Sequence, residues 1–151
     1  ENKLYRTTTE IRLSVLWASW NCLLEVNPIT GAGIGDVENV VSRKASEHGI
    51  TNIHNNFNPH NQYITLALGI GIPGLLIFVT LLGVPLTLSW QTKDYLLFGF
   101  ISLFALMCIT EPVLERQKSV ILFSIFFPLL AFHRKSFCDY ALIIRTLGGK
   151  N

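Results

Sequence analysis

The sequence predicts an all-α membrane protein: an amphipathic helix and loop on the outer side of a membrane, then two to three transmembrane helices that form part of a larger polytopic helical bundle. Three observations carry this. Half of the 151 residues are hydrophobic, 15% are charged and the mean hydropathy is +0.41, whereas soluble domains average roughly 25% charged residues. The charges are also segregated, with no Asp, Glu, Lys or Arg between Glu47 and Lys93, between Asp94 and Glu111, or between Lys118 and Arg134. Finally, the polar first third differs in kind from the apolar remainder. The composition excludes a disordered chain and a collagen-like repeat, and a net charge of +2 gives no footprint for nucleic acid. Cys22, Cys108 and Cys138 are scattered without disulfide or CxxC spacing and read as small apolar fillers.

The first helix is expected from about residue 8 to 26. Thr7 and Glu10 offer a capping box, and Ile11, Val15, Leu16, Trp20, Leu23 and Leu24 follow at helical spacing. Trp17 and Trp20 are residue types that favour the headgroup region, which suits a helix lying on the outer membrane face. Asn27-Pro28 stops it, and Gly31, Gly33 and Gly35 then make a flexible turn before Asp36. That glycine run follows a helix and lacks the Lys-Ser/Thr of a phosphate-binding P-loop, so it is not read as a nucleotide site.

The run from Ile64 to Trp90 exceeds the roughly 20 residues a helix needs to cross a bilayer. Gly69, Gly71, Pro73 and Gly74 interrupt its start. Proline lacks an N–H and clashes one turn back, so one helix ends near Gly69 and another begins at Pro73. The expected spans are therefore about 73–90, 95–110 and 119–132, the last two shorter than the usual range of about 17–25 residues. The third crosses only by recruiting part of Val113 to Lys118 or by thinning the bilayer. Arg134, Lys135, Arg145 and Lys150 against one Asp139 put the C-terminus inside, and Lys93 agrees. Residues 1–62 are then an outer loop region, 63–132 the membrane region and 133–151 an inner tail. With no signal peptide in view and only three spans, we expect a fragment of a longer polytopic protein.

Asn58-Pro59-His60-Asn61-Gln62 precedes the first apolar run. Asn58 suits an N-cap and Pro59 a first helical residue, which places His60 in a first turn where unpaired backbone N–H groups favour an anion. His48, His54 and His60 recur at six-residue intervals, but zinc motifs on helices use i, i+4 spacing and the intervening asparagines are poor ligands, so no metal is expected. Glu111, Glu115 and Arg116 read as a local surface pairing on a short turn, with lining of a cavity mouth as the alternative, since an ionisable group next to a span is costly without a partner.

His60-Asn61, nine residues and then Gly71-Ile72-Pro73-Gly74 resembles the periplasmic His motif of the O-antigen ligase family. Arg12 followed by Trp17 or Trp20, and Asn27-Pro28-Ile29-Thr30-Gly31-Ala32-Gly33-Ile34-Gly35-Asp36, are similar to the Arg helix and glycine turn of that family's large periplasmic loop. Thr110-Glu111-Pro112-Val113-Leu114-Glu115-Arg116-Gln117 is similar to its acidic turn between the last two membrane helices. The likeness covers about residues 7 to 132, and its specificity lies in the ordered set.

The resemblance implies the C-terminal part of a multi-pass enzyme of about a dozen helices in the bacterial inner membrane, with the N-terminal region periplasmic and the C-terminus cytoplasmic. It implies transfer of a glycan from undecaprenyl diphosphate to an acceptor sugar on lipid A-core, without cofactor, nucleotide sugar or required metal. The same signature occurs in O-antigen polymerases and protein O-oligosaccharyltransferases, so the acceptor stays open. Partners are then the lipid-linked glycan, the acceptor and membrane lipids. Arg12 suits stabilisation of the diphosphate, since a guanidinium grips phosphate oxygens in pairs and stays charged. His60 suits the general base toward the acceptor hydroxyl or a donor to the diphosphate. Asn61, Asp36 and Arg43 are candidate substrate-binding residues, and Asp36 or Glu38 could orient His60. The competing readings are a non-catalytic helix-packing component and a small transporter subunit, and the latter calls for ionisable residues within the spans, which hold none.

Overall fold

A computed structural model describes the backbone over residues 8–48 and 57–148 and side chains over 9–48 and 57–132. Thr7 of the expected capping box lies outside these residues. Five α-helices follow in order: α1 (Thr8–Glu25), α2 (Val37–Glu47), α3 (Gln62–Gln91), α4 (Tyr95–Thr110) and α5 (Gln117–Gly148), with short 3₁₀ turns at Ile34–Asp36 and Val113–Glu115. No strand occurs among the described residues.

The α1 helix buries Val15, Ala18, Ser19 and Cys22, an i, i+3, i+4, i+7 stripe of small and branched side chains. The small residues let α2 approach closely, and its Val37, Val41 and Ala45 complete this first core with Phe57 and Leu68. Leu13, Trp17, Trp20 and Leu24 form a second, exposed apolar stripe on α1. The expected apolar positions thus split between two faces: Ile11, Val15 and Leu23 belong to the packed side, which also bears Ala18 and Ser19, while Trp20 and Leu24 lie outside the core. A correction is α2 itself, where the sequence suggested only a loop. Lys44 of α2 ion-pairs with Glu25 at the end of α1 and with Glu47 at 3.3 Å, locking the two helices together.

The glycine turn is a docked element, for a reason visible in the backbone of α3. Gly71 adopts φ 75° and ψ −174°, which breaks the helix between the Gly69 and Pro73 positions that the sequence marks. Leu68 O would ordinarily accept from Ile72 N, and Gly69 O from residue 73, which is a proline without an N–H. Instead Ile72 N donates to Pro28 O at 2.8 Å, Ala32 N donates to Leu68 O at 2.7 Å and Gly33 N donates to Gly69 O at 3.0 Å. The turn therefore supplies the partners the broken helix lost, as buried backbone polar groups require. Glycine at 31 and 71 makes the approach possible: a Cβ at Gly71 would stand 2.4 Å from Ile29 O, and one at Gly31 would stand 2.6 Å from the Gly69 carbonyl carbon.

Beyond the break, Phe78 and Leu82 of α3 pack with Leu97, Ile101, Phe104 and Cys108 of α4 and with Val113. The N-terminal half of α5 closes this second core through aromatic contacts, with ring centroids 4.4 Å apart for Phe104 and Phe123 and 4.9 Å for Phe123 and Phe127. Among the described residues α3 is the one helix long and apolar enough to cross a membrane. The α4 helix and the stretch Gln117–Phe132 are apolar but shorter. The α5 helix recruits Gln117 and Lys118 ahead of Ser119 and stays helical to Gly148, through most of the expected tail.

Candidate functional site

The residues before α3 build a tight corner. Asn58 Oδ1 accepts from His60 N at 3.0 Å, a side-chain turn that leaves His60 in the left-handed region at φ 51°. Asn61, extended at φ −151°, is the N-cap, its Oδ1 accepting from Ile64 N at 3.1 Å. The expectation that Asn58 caps the helix and His60 sits in its first turn is therefore corrected. Asn58 uses its carbonyl on the corner, the helix begins at Gln62, and His60 lies just outside it.

The same asparagines and the glutamine clamp this corner onto the α4–α5 connection. Asn58 Nδ2 donates to Glu115 Oε2 at 2.7 Å and Asn61 Nδ2 donates to Ile109 O at 3.0 Å. Leu114 N donates to Gln62 Oε1 at 2.7 Å, with Gln62 buried. Tyr63 donates its hydroxyl to Ala105 O at 3.1 Å. Four side chains thus tie residues 58–63 to residues 105–115.

The clamp brings Glu111 to His60. Glu111 Oε2 lies 2.9 Å from Arg116 Nη2 and 3.9 Å from His60 Nδ1, and its Oε1 lies 3.6 Å from Arg12 Nη2. Two guanidiniums and an imidazole from α1, the pre-α3 corner and the α4–α5 turn converge on one carboxylate. His60 Nδ1 is sealed from solvent without a hydrogen-bond partner, while the side chain as a whole is 35% exposed. Exposed ion pairs of this kind contribute only about 0.2–1 kcal/mol each. With Arg12 and Arg116 more than half exposed, the cluster is a poor structural staple and a good place to hold charge ready for a ligand.

Of the residues singled out in sequence, Arg12, His60 and Asn61 come together here. Asp36 and Arg43 stand elsewhere. Asp36 accepts from Asn39 Nδ2 at 3.4 Å beside the glycine turn, which docks at Leu68–Gly69, roughly two helical turns along α3 from His60. Arg43 is exposed on α2 and makes no ion pair among the described residues. The carboxylate beside His60 is Glu111, in place of Asp36 or Glu38. Sequence reading favoured a local surface charge for Glu111 and held a cavity-mouth role as the alternative; the signal for the second was its position at the end of an apolar helix, where an ionisable group demands a partner.

A groove of about 570 Å³ opens on the other residues of this turn, lined by Met107, Glu111, Val113, Arg116, Gln117, Lys118 and Ser119. Among the described residues no three potential metal ligands converge, and His54 lies outside them. No curated protein and no solved structure matches the chain. A family model described as O-antigen ligase matches residues 3–79, half of the chain. That stretch runs from α1 through the docked glycine turn, α2 and the His60 corner to beyond the Gly71 break. It thus holds the Arg helix, the glycine turn and the His motif that carried the resemblance, while the turn over residues 110–117 lies beyond it, and on this match the chain belongs to the O-antigen ligase family.

Proposed function

We propose that the chain contributes the His- and Arg-bearing part of a multi-pass glycan transferase of the bacterial inner membrane. In this reading residues 1–62 face the periplasm, α3 and α4 cross the membrane together with the first part of α5, and the C-terminus is cytoplasmic. The donor is an undecaprenyl-diphosphate-linked glycan and the acceptor a sugar hydroxyl of lipid A-core. Family membership supports a membrane enzyme acting on lipid-linked glycans.

The observation that carries the residue roles is the convergence of Arg12, His60 and Arg116 on Glu111. With Nδ1 directed at a carboxylate, the imidazole holds its proton on that side and leaves Nε2 free to accept one. The acceptor hydroxyl attacks the anomeric carbon, its proton passes to His60 Nε2, and the bond from that carbon to the diphosphate oxygen breaks. The departing diphosphate carries growing negative charge, which a guanidinium such as that of Arg12 stabilises. Glu111 positions both groups, and Asn61 holds the corner through its cap on Ile64 N and its tie to Ile109 O.

The test is transfer of labelled glycan from undecaprenyl diphosphate to lipid A-core in membranes carrying the intact protein, wild type against His60→Ala and Arg12→Ala. Loss in both variants at unchanged protein level supports these roles. Normal transfer by both overturns them, and transfer by the wild type to a glycan chain or a protein in place of lipid A-core reassigns the acceptor.

A further inference from the structure

We propose that the glycine turn between α1 and α2 is a membrane anchor, seated in the outer leaflet at the edge of the acyl chains with Ile29 and Ile34 against lipid. Its depth follows from where it docks. Residues 73–90, at about 1.5 Å per residue, cover about 27 Å, close to the roughly 30 Å of a hydrocarbon core. The α3 residues just before them therefore stand at the outer boundary of that core. The turn is bonded to those residues: Ala32 N and Gly33 N donate to Leu68 O and Gly69 O, and Pro28 O accepts from Ile72 N. Ile34 rests over Gly69, where an added Cβ would stand 3.3 Å from Ile34 Cα, and Ile29 O lies against Gly71. The inference rests on α3 crossing the membrane, and it goes beyond the transfer reading by naming what a turn outside the Arg12–His60 site touches.

The backbone of the turn is built for an apolar medium. Ile29 N and Thr30 N donate to Asn27 Oδ1 at 2.9 and 3.4 Å, Gly31 N donates to Asn27 O at 2.9 Å, and the next two N–H groups go to α3. The Thr30 hydroxyl also turns inward, donating to Gly31 O at 3.3 Å. A turn in water has solvent for these groups, whereas irregular backbone at membrane depth must find its partners within the protein. The side chains agree with the backbone. Residues 26–35, between Glu25 and Asp36, hold no ionisable group, yet Ile29 and Ile34 are 70% and 69% exposed. Ile70 and Ile72, on either side of Gly71, are also partly exposed, so isoleucines collar α3 at one level. Farther along α3, Leu76 and Ile77 carry the exposed apolar surface into the stretch that crosses the hydrocarbon, and this continuity selects lipid as the occupant. The anchor holds the α1–α2 unit, and with it Arg12, at the level of the headgroups.

The test is spin labelling of the intact protein in phosphatidylethanolamine–phosphatidylglycerol nanodiscs, with single labels on Ile29→Cys, Ile34→Cys, Ile77→Cys and Asn39→Cys. All four positions are exposed, so a label disturbs no packing, and the unsubstituted protein gives the background from the native cysteines. Collision with oxygen, which concentrates among acyl chains, is compared with collision with a water-soluble nickel chelate. Position 77 on α3 is the lipid reference and position 39 on α2 the water reference. Labels at 29 and 34 are expected to favour oxygen over the chelate several-fold more than the label at 39 does, approaching the ratio at 77. A ratio at 29 and 34 equal to that at 39 would place the turn in water and overturn the proposal. Protection from both reagents while 77 meets oxygen would overturn it in favour of a protein cover. A label at 77 that favours the chelate would overturn the crossing of α3 together with the anchor, so the two failures are told apart.

Discussion

His60 Nδ1 faces Glu111 Oε2 across 3.9 Å, joining the polar first part of the chain to the turn between its last two described helices. That separation is about 1 Å longer than a hydrogen bond. The nitrogen is nonetheless buried and has no other partner. The carboxylate therefore stands beside the imidazole as a nearby charge, without a hydrogen bond between them in this structure.

Glu111→Gln is expected to lower kcat for glycan transfer by roughly tenfold to a hundredfold with little change in KM, and His60→Ala by about 10²–10⁴-fold, the range for loss of a general base. Because the carboxylate works through the imidazole, the double variant should be scarcely worse than His60→Ala alone. Kinetic assay of the three variants checks this. Losses that multiply in the double variant would mean that Glu111 acts independently of His60.

Much of this arrangement was legible in the sequence, and what was missed has a common cause. The α1 boundaries, the break near Gly71 and the α4 limits follow from local signals: helical periodicity, a proline without an N–H, and Asp94, whose carboxylate caps α4 through Leu97 N at 3.2 Å. The α2 helix was not read because it is short and only every fourth residue, Val37, Val41 and Ala45, is buried. The choice between Asn58 and Asn61 as cap, and the pairing of Glu111 with Arg12 and His60, depend on which elements touch. Asn58 bonds Glu115 and Asn61 bonds Ile109, across separations that no local pattern encodes.

Gly71→Ala is expected to destabilise the protein by several kcal/mol. A backbone at φ 75° and ψ −174° is essentially restricted to glycine and costs about 1–3 kcal/mol for other residues. The added Cβ would also meet Ile29 O at 2.4 Å, forcing the glycine turn off the broken helix and exposing Leu68 O and Gly69 O. Gly83→Ala, where a Cβ meets nothing within 4 Å, serves as the comparison and should be tolerated. Thermal unfolding of both variants reads the difference, and equal stability of the two would mean that the docked turn contributes nothing.

Asn61 can be dissected because its two amide atoms do different work. Asn61→Asp keeps the acceptor for Ile64 N and loses the donor to Ile109 O, while Asn61→Ala loses both. The alanine variant should lose about 1 kcal/mol more than the aspartate variant, the usual worth of an N-cap. Both should lose transfer activity by a similar factor if the tie to Ile109 is what holds His60 against Glu111. Activity retained by Asn61→Asp would place the requirement in the cap.

Burial raises the Cys22 thiol above its ordinary value, and the nearby Glu25 carboxylate adds to the rise against smaller opposing effects of Lys44 and Arg43. A raised thiol favours the protonated form in the folded protein. Its contribution to stability is fully present below the unfolded thiol value of about 8.5 and is lost as pH rises through the folded value. The sulfur is also 1% exposed and directed at Val40 O at 3.7 Å, so the thiolate that alkylating reagents need is both scarce and shielded. Cys22 in the native protein should therefore react with iodoacetamide far more slowly at pH 8 than after denaturation, and the α1–α2 unit should soften in alkali. Peptide mapping of the alkylated protein measures the first effect, and hydrogen exchange across Val37–Glu47 at rising pH measures the second. Rapid native labelling at Cys22 would mean that the α1–α2 seam opens readily in solution.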